Sequence, residues 1–430
     1  MSYLRLIDLA SLDAGKKRSL LRRSAVPDRE VREAAAAICD EVRMGGDKAL
    51  AELASRFGGG FRRATDAELQ TAFEGLDPSL ADALAAAAEA IGTFHRLQIP
   101  TDVTVETLPG VEVRRCWSPL RRVGAYVPGG RAAYPSTLLM TVVPARIAGV
   151  TEVVVASPAA PNGSVDQTLL AAARLARVDE LWIMGGAQAV AALAYGTKTI
   201  ERVEKIVGPG NAWVTAAKLA VLGEVAIDLP AGPSEVLVVA DRHADALLVA
   251  VDLLCQAEHG PDSPAVLVTD DPELPAKVDR EIEFLLPKLP RQAVLRQALE
   301  EHGLAVVAPD RTTAFAFAQD YAAEHVTILT ENPEDDAKAI TSAGSVYIGR
   351  WAPESAGDYA TGANHVLPTG GLAGAYGPLS VEDFGSYRQE QRIAKQGLIN
   401  IAPTIARLAD AEGLSAHRLA AEIRLERNLI

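Results

Sequence analysis

The sequence predicts an α/β protein built on parallel sheets, and three observations predict it. Short apolar runs alternate with helical segments over two long stretches, the pattern of strands joined by crossover helices. The 430 residues allow about three structural units at roughly 150 residues each. Hydrophobic residues make up 49% and charged residues 23%, enough apolar material for large cores and too little charge for extended disorder.

Each element follows in order. Residues 1–23 read as a short helical arm. Between residues 24 and 98, REVREAAAAICDEVRMGGDKALAELASRF and SLADALAAAAEAIGTFHRLQ carry apolar residues at helical spacing. VTVETLPGVEVRRCWSPLRRV reads as short strands. The first alternation follows GAYVPGG. It runs helix TLLMTVVPARIAG, strand EVVVAS, helix SVDQTLLAAARLARV, strand LWIMGG, helix QAVAALAYG, strand and turn EKIVGPG, and helix NAWVTAAKLAVLG. The second begins after Pro233 and runs from SEVLVVAD through AVLVTD, LAVVAP and HVTIL to SVYIG. From about residue 381 a polar tail reads as helical and would bury little by itself, so it is expected to pack on another domain or a partner subunit. No internal repeat recurs at a fixed period.

Charge and cysteines exclude whole classes of function. Lys plus Arg is 42 and Asp plus Glu is 56, a net charge of −14 that repels a phosphate backbone. The three cysteines, Cys39, Cys116 and Cys255, are odd in number and form no CxxC pair, so they are not a disulfide framework and point to a reducing compartment. The N-terminus has no apolar core long enough for a signal peptide. No run approaches about 20 apolar residues, so no membrane helix is expected. The expected location is the cytoplasm, or a plastid if a transit peptide has been lost.

Several residues could carry chemistry. In CQAEHGPDSP, Gln256 and His259 stand at i and i+3, on one face if the helix before them runs to about Glu258. They are either an amide oxygen and an imidazole nitrogen offered to a metal or a local cap. Glu324 and His325 sit where a helix ends and a strand begins, and an adjacent carboxylate and imidazole can divide acid–base work. SAGDYATGANHVLPTGG reads as a loop; Asp358 is a hard oxygen donor or an Asx turn, and His365 is supporting or structural. Glu412 and His417 lie in the tail. GPGNAW at 208–213 follows a strand and opens a helix, a place for an anion, but position 213 is Trp where GxGxxG needs glycine. HExxH, DxDxDG and GxSxG are absent, which removes the common hydrolase signatures.

Taken together and in order, GAYVPGG, GGAQAVAALAYGT, VGPGNAWVTAAK, DLPAGPSEVLVVAD, QAEHGPDSPAVLVT, AEHVTIL, GDYATGANHVLPTGGLA and AEGLSAHRLAAEIR resemble the motifs of the histidinol dehydrogenase family across nearly the whole chain. The resemblance implies two incomplete Rossmann-like domains with parallel sheets, plus helical N-terminal and C-terminal arms. It implies an NAD-dependent alcohol and aldehyde oxidoreductase that converts L-histidinol to L-histidine, through a bound aldehyde, with two NAD, in amino-acid biosynthesis. Gln256, His259, Asp358 and His417 would be ligands of one Zn2+ per subunit. Glu324 and His325 would be catalytic. Ser234, Gln256, His259, His325, Asp358, Glu412 and His417 would contact substrate, and Tyr126, Gln188 and Asn211 would contact NAD. The implied assembly is a homodimer with exchanged tails. The matching division is a first domain of 24–123 with 234–380 bearing the zinc site, a second of 124–233 bearing the NAD contacts, an arm at 1–23 and a tail at 381–430. Cys255 is the one local difference, since serine is common there. Competing readings are a related dehydrogenase of another small polyol or sulfonated diol, a zinc hydrolase, and a non-catalytic metal-binding paralogue.

Overall fold

A computed structural model describes residues 2–129 and 134–426. Gly130 of the GAYVPGG motif and the last four residues of the tail lie outside the described residues. The strands are β1 (Arg5–Asp8), β2 (Arg62–Arg63), β3 (Val103–Leu108), β4 (Val111–Pro119) and β5 (Arg122–Tyr126). They continue with β6 (Glu152–Ser157), β7 (Glu180–Ile183), β8 (Lys205–Val207), β9 (Ala226–Ile227) and β10 (Val236–Ala240). The last are β11 (Ala265–Thr269), β12 (Gly303–Val307), β13 (His325–Leu329), β14 (Ser345–Ile348) and β15 (Gly385–Ile393). The chain divides into two compact units, residues 1–98 with 120–384 and residues 99–119 with 385–430.

The larger unit holds two six-stranded sheets, β2-β7-β6-β5-β8-β9 and β1-β12-β11-β10-β13-β14. Leaving out the edge strands β2 and β1, both read 3-2-1-4-5 in their own chain order, the Rossmann arrangement short of its sixth strand. All pairs are parallel except β2 with β7. Strands buried on both faces explain the unbroken apolar runs. In β10, Val236, Val238 and Ala240 join one core cluster while Leu237 and Val239 join another, the period-two alternation of a strand between two helical layers. The duplicated strand order escapes a search for fixed-period repeats because connection lengths differ between the halves.

Three expectations need correction. Residues 1–23 are not only helical: Arg5–Asp8 pairs in parallel with Leu304–Val307, where an open sheet edge needs a backbone partner. The helices between residues 24 and 98 do not all belong with the 234–380 region: Pro78–Arg96 meets it, His95 lying 3.3 Å from Asn364, but Arg29–Phe57 packs elsewhere. The helix Arg29–Phe57 contributes Ala35, Ile38, Val42 and Leu50 to the cluster of Val154, Ala156 and Ile206 under the other sheet. The tail is not wholly helical, because Gly385–Ile393 pairs antiparallel with Val111–Pro119 over its full length.

The smaller unit is the antiparallel sheet β15-β4-β3 followed by the helices Lys395–Glu412 and Ser415–Glu426. Those helices bury only Gly397, Ala409 and Ala421, as a tail short of its own core should. No helix of the described residues is long and apolar enough to cross a membrane.

One loop of the larger unit is held from beneath. Lys218 is buried, pairs with buried Asp228, and donates to the carbonyls of Gly208 (3.0 Å) and Leu229 (3.1 Å). Asp228 in turn accepts the Gly208 N–H at 2.7 Å. Gly208 has φ +105°, and a Cβ there would collide with the Tyr126 carbonyl, so glycine is required at this close approach. Replacing Lys218 strands the Asp228 charge in the interior. Lys218→Met is expected to lower stability by about 3–5 kcal/mol, read as a lower unfolding midpoint in urea, whereas an unchanged midpoint would show that the pair is not needed.

Candidate active site

Two cavities matter, and they lie at opposite edges of their sheets. The first, of about 540 Å³, opens at the carboxyl ends of β5, β6, β7 and β8, across the point where strand order reverses. Tyr126 ends β5 and its hydroxyl accepts the Gly186 N–H at 3.1 Å. Asn211 caps the helix Ala212–Ala220, accepting from the N–H groups of Trp213 (3.1 Å) and Val214 (3.2 Å). Gln188 rises from the helix Gly186–Tyr195. All three expected cofactor contacts line this one cavity, together with Pro158, Gly185 and Trp213. Gly185 has no room for a Cβ beside Pro158, which keeps the backbone close to the cavity floor. Two helix N-termini line the opening, a place where a pyrophosphate can sit without a full GxGxxG. Trp213, which breaks that fingerprint, is itself part of the wall.

The second site forms at the amino ends of β10 and β13. Glu235, buried beside Arg23, accepts the Gly370 N–H at 3.0 Å and gives its carbonyl to the His325 N–H at 3.2 Å. Its own N–H donates to Glu324 Oε2 at 2.9 Å, and the Ser234 hydroxyl donates to the same oxygen at 2.7 Å. Ser234 also lies 3.5 Å from Gln256 Oε1. Gln256 ends a helix (Ala246–Ala257) that buries its apolar face, and His259 follows one turn later, its N–H donating to the Gln256 carbonyl at 3.1 Å. His259 Nε2 stands 4.0 Å from Asp358 Oδ2. Asp358 accepts through its backbone carbonyl from His365 Nδ1 at 3.1 Å, and His365 Nε2 meets the Thr137 hydroxyl at 3.2 Å.

The structure therefore gathers Ser234, Gln256, His259, Glu324, His325 and Asp358 around one point. Asp358 is on a short helix, Glu354–Tyr359, and not in a loop. The glycine, threonine and asparagine that marked a loop follow it. That helix adds a residue the sequence reading missed. Glu354 stands one turn before Asp358, is fully buried, and leaves both carboxyl oxygens without a hydrogen-bond partner among the described residues. The spacing of two acids at i and i+4 was the available signal. Glu412 and His417 belong to the smaller unit, where both are exposed.

Burial dominates the electrostatics. It pushes the Glu324 and Glu354 carboxyls well above the usual carboxylate range and Asp358 up to about 6. It pulls His325 down to about 3, His365 to about 4, and His259 below its ordinary value. Desolvation disfavours the charged form of each of these groups, and for Glu324 the hydrogen bonds from Ser234 and the Glu235 N–H oppose it. One ligand atom from each of His259, Glu354 and Asp358 lies within 4.8 Å of the others. A nitrogen and oxygen donor set beyond a helix carboxyl end, with buried lone pairs unspent, fits a divalent cation. A cavity of about 610 Å³, walled in part by Leu84, Tyr134, Arg291 and Tyr359, opens beside His259 and Asp358 and gives access. Cys255 lines the same cavity, its thiol pushed up to about 12 by burial.

The whole chain has close relatives. A family model described as Histidinol dehydrogenase matches residues 21–425. Histidinol dehydrogenase of Methanothermobacter thermautotrophicus is 45% identical over 416 residues, covering 96% of this chain and 97% of the relative. That of Vibrio vulnificus is 42% identical over 431 residues, covering 99% of each. The crystal structure of histidinol dehydrogenase from Elizabethkingia anophelis superimposes with a TM-score of 0.93 at 36% identity, over 99% of both chains. Sequence match, fold match and full coverage agree: the chain belongs to the histidinol dehydrogenase family.

Proposed function

We propose that this chain oxidises L-histidinol to L-histidine with two NAD, in two hydride transfers with the aldehyde held in place between them. The observation that carries this reading is the pairing of a cluster of buried carboxyls and histidines at one sheet edge with a cavity of about 540 Å³ at the Rossmann switch point of the other. In this reading the β10 sheet (residues 234–380) carries the chemistry, residues 124–233 carry the cofactor, and the enzyme works in the cytoplasm.

The residues divide the work. His325, neutral and without a hydrogen-bond partner on either ring nitrogen among the described residues, accepts the hydroxyl proton of the alcohol. The nicotinamide ring supplies the hydride acceptor. Glu324, anchored through one oxygen by Ser234 and the Glu235 N–H, takes a proton from water as it adds to the aldehyde. Gln256, His259 and Asp358 would hold zinc, which when bound orients the imidazole and amine of the substrate and compensates the buried acids. Ser234 holds the substrate beside Glu324. Tyr126, Gln188 and Asn211 hold NAD against its cavity wall. The partner subunit's Glu412 and His417 would complete the pocket and the metal's ligand set, which is why a tail so poor in buried residues is retained. Burial of Gln256, Glu324, His325 and Asp358 keeps bulk water from that part of the site and strengthens the interactions there.

Purified protein with zinc, NAD and L-histidinol is expected to yield two NADH per histidinol, followed by absorbance; reduction only with a different alcohol would refute the assignment. His325→Asn is expected to lower kcat at least about 100-fold while zinc content stays at the parent level. His417→Ala is expected to lose zinc, and a fully active, zinc-loaded variant would remove it from the ligand set. Random reassortment of His325→Asn chains with His417→Ala chains should restore about a quarter of parent activity, because half the dimers then hold one intact site. Proven subunit exchange without any recovery would exclude tail exchange.

A further inference from the structure

His325 poses a question that its proposed role leaves open. A neutral imidazole carries one proton, and the lone pair on the other nitrogen is the base. Which nitrogen holds the proton is set by what the other parts of the site offer it. Two carboxyl groups flank Nδ1: Glu324 Oε2 at 3.7 Å and Glu354 Oε1 at 3.8 Å. Glu324 Oε2 is already an acceptor, taking the Ser234 hydroxyl and the Glu235 N–H. Its lone pairs are spent. Glu354 has spent none, is 0% exposed, and stands on a helix whose packing aims it at the ring: Gly357, one turn along, lies so close to Tyr347 that a Cβ there would strike the phenol. A buried polar group left without a partner costs free energy, about 1–3 kcal/mol, and a slight rotation of either side chain closes the 3.8 Å gap to a hydrogen bond.

We propose that Glu354 is the positioning residue for His325: one of its carboxyl oxygens accepts the N–H of His325 Nδ1, fixing the tautomer and ring orientation that leave Nε2 as the proton acceptor. Glu354 retains an acceptor oxygen in either charge state, so the assignment holds with the carboxyl neutral or ionised. An unspent acceptor oxygen beside Nδ1 favours the proton on that nitrogen. No hydrogen bond from the described residues competes for Nε2. Glu354 thereby acts through His325 without touching the substrate. The role rests on the reading of His325 as proton acceptor.

The test is a nitrogen-15 histidine spectrum of the zinc-loaded enzyme without substrate. The chain has seven histidines, and His325→Asn identifies the signal of interest. The parent is expected to show the proton on Nδ1. Glu354→Leu, of similar size but without an acceptor, is expected to shift the tautomer population toward Nε2. It should also lower kcat by about 10–100-fold, with KM changed by less than about twofold and zinc retained. A parent spectrum with the proton on Nε2 overturns the proposal, and needs no variant to fold. So does a Glu354→Leu enzyme with unchanged tautomer, or one that loses zinc while the tautomer persists, since Glu354 would then be holding the cation. The tautomer is read without turnover, so its failure is separable from a failure to oxidise histidinol.

Discussion

Two donors converge on one oxygen at the start of β13: the Ser234 hydroxyl and the Glu235 N–H both reach Glu324 Oε2. The rest of the site depends on that anchor. It needs Glu235 fixed, which Arg23 and the Gly370 N–H achieve, and it needs β10 and β13 in register, which the parallel pairing of Val236 with His325 provides. With Glu324 anchored, His325 enters the strand with its ring among carboxyls and, among the described residues, no hydrogen-bond partner for either ring nitrogen. Folding has thus placed charged-capable groups in a dry region and left them incompletely satisfied. Such groups persist where function requires them.

The two sheets share a strand order and use opposite edges. At the carboxyl edge of the β5 sheet the switch point is open, floored by glycines and rimmed by helix N-termini. The corresponding edge of the β10 sheet is filled by polar side chains. Asp241 accepts the Glu331 N–H at 2.9 Å, and Asp336 pairs with Arg311 and the Thr330 hydroxyl. That network occupies the crevice where a dinucleotide would otherwise lie. The chemistry of the β10 sheet is displaced to its amino edge, beside the carboxyl end of the helix that carries Gln256, where the helix dipole favours a cation. One topology has therefore produced an open cavity at the switch point of one half and a pocket of buried acids and histidines in the other.

Much of this was legible in the sequence, and the remainder was hidden for definite reasons. The parallel sheets followed from Val-rich runs between helices, since strands covered on both faces cannot alternate in polarity. Gln256 and His259 came out on one face because the helix before them is apolar and ends where expected. Glu354 stayed hidden because PESAGDYATGANH is dense in turn residues, and a six-residue helix has too few turns to show a period. The strand Gly385–Ile393 stayed hidden because its polar residues describe an exposed ribbon as readily as a helix. The packing of Arg29–Phe57 under the β5 sheet is a long-range choice between two apolar surfaces, which local pattern cannot make. The Rossmann duplication was obscured by unequal connections.

In the proposed reading, unlike in a generic zinc dehydrogenase, one chain leaves the metal pocket incomplete. A crystal of the zinc-loaded enzyme, measured on both sides of the zinc absorption edge, tests it directly. The account places one anomalous peak per subunit against Gln256, His259, Asp358 and the partner subunit's His417, with Glu354 outside the ligand set and against His325. A peak whose protein ligands all come from one chain, with Glu354 among them, would contradict it.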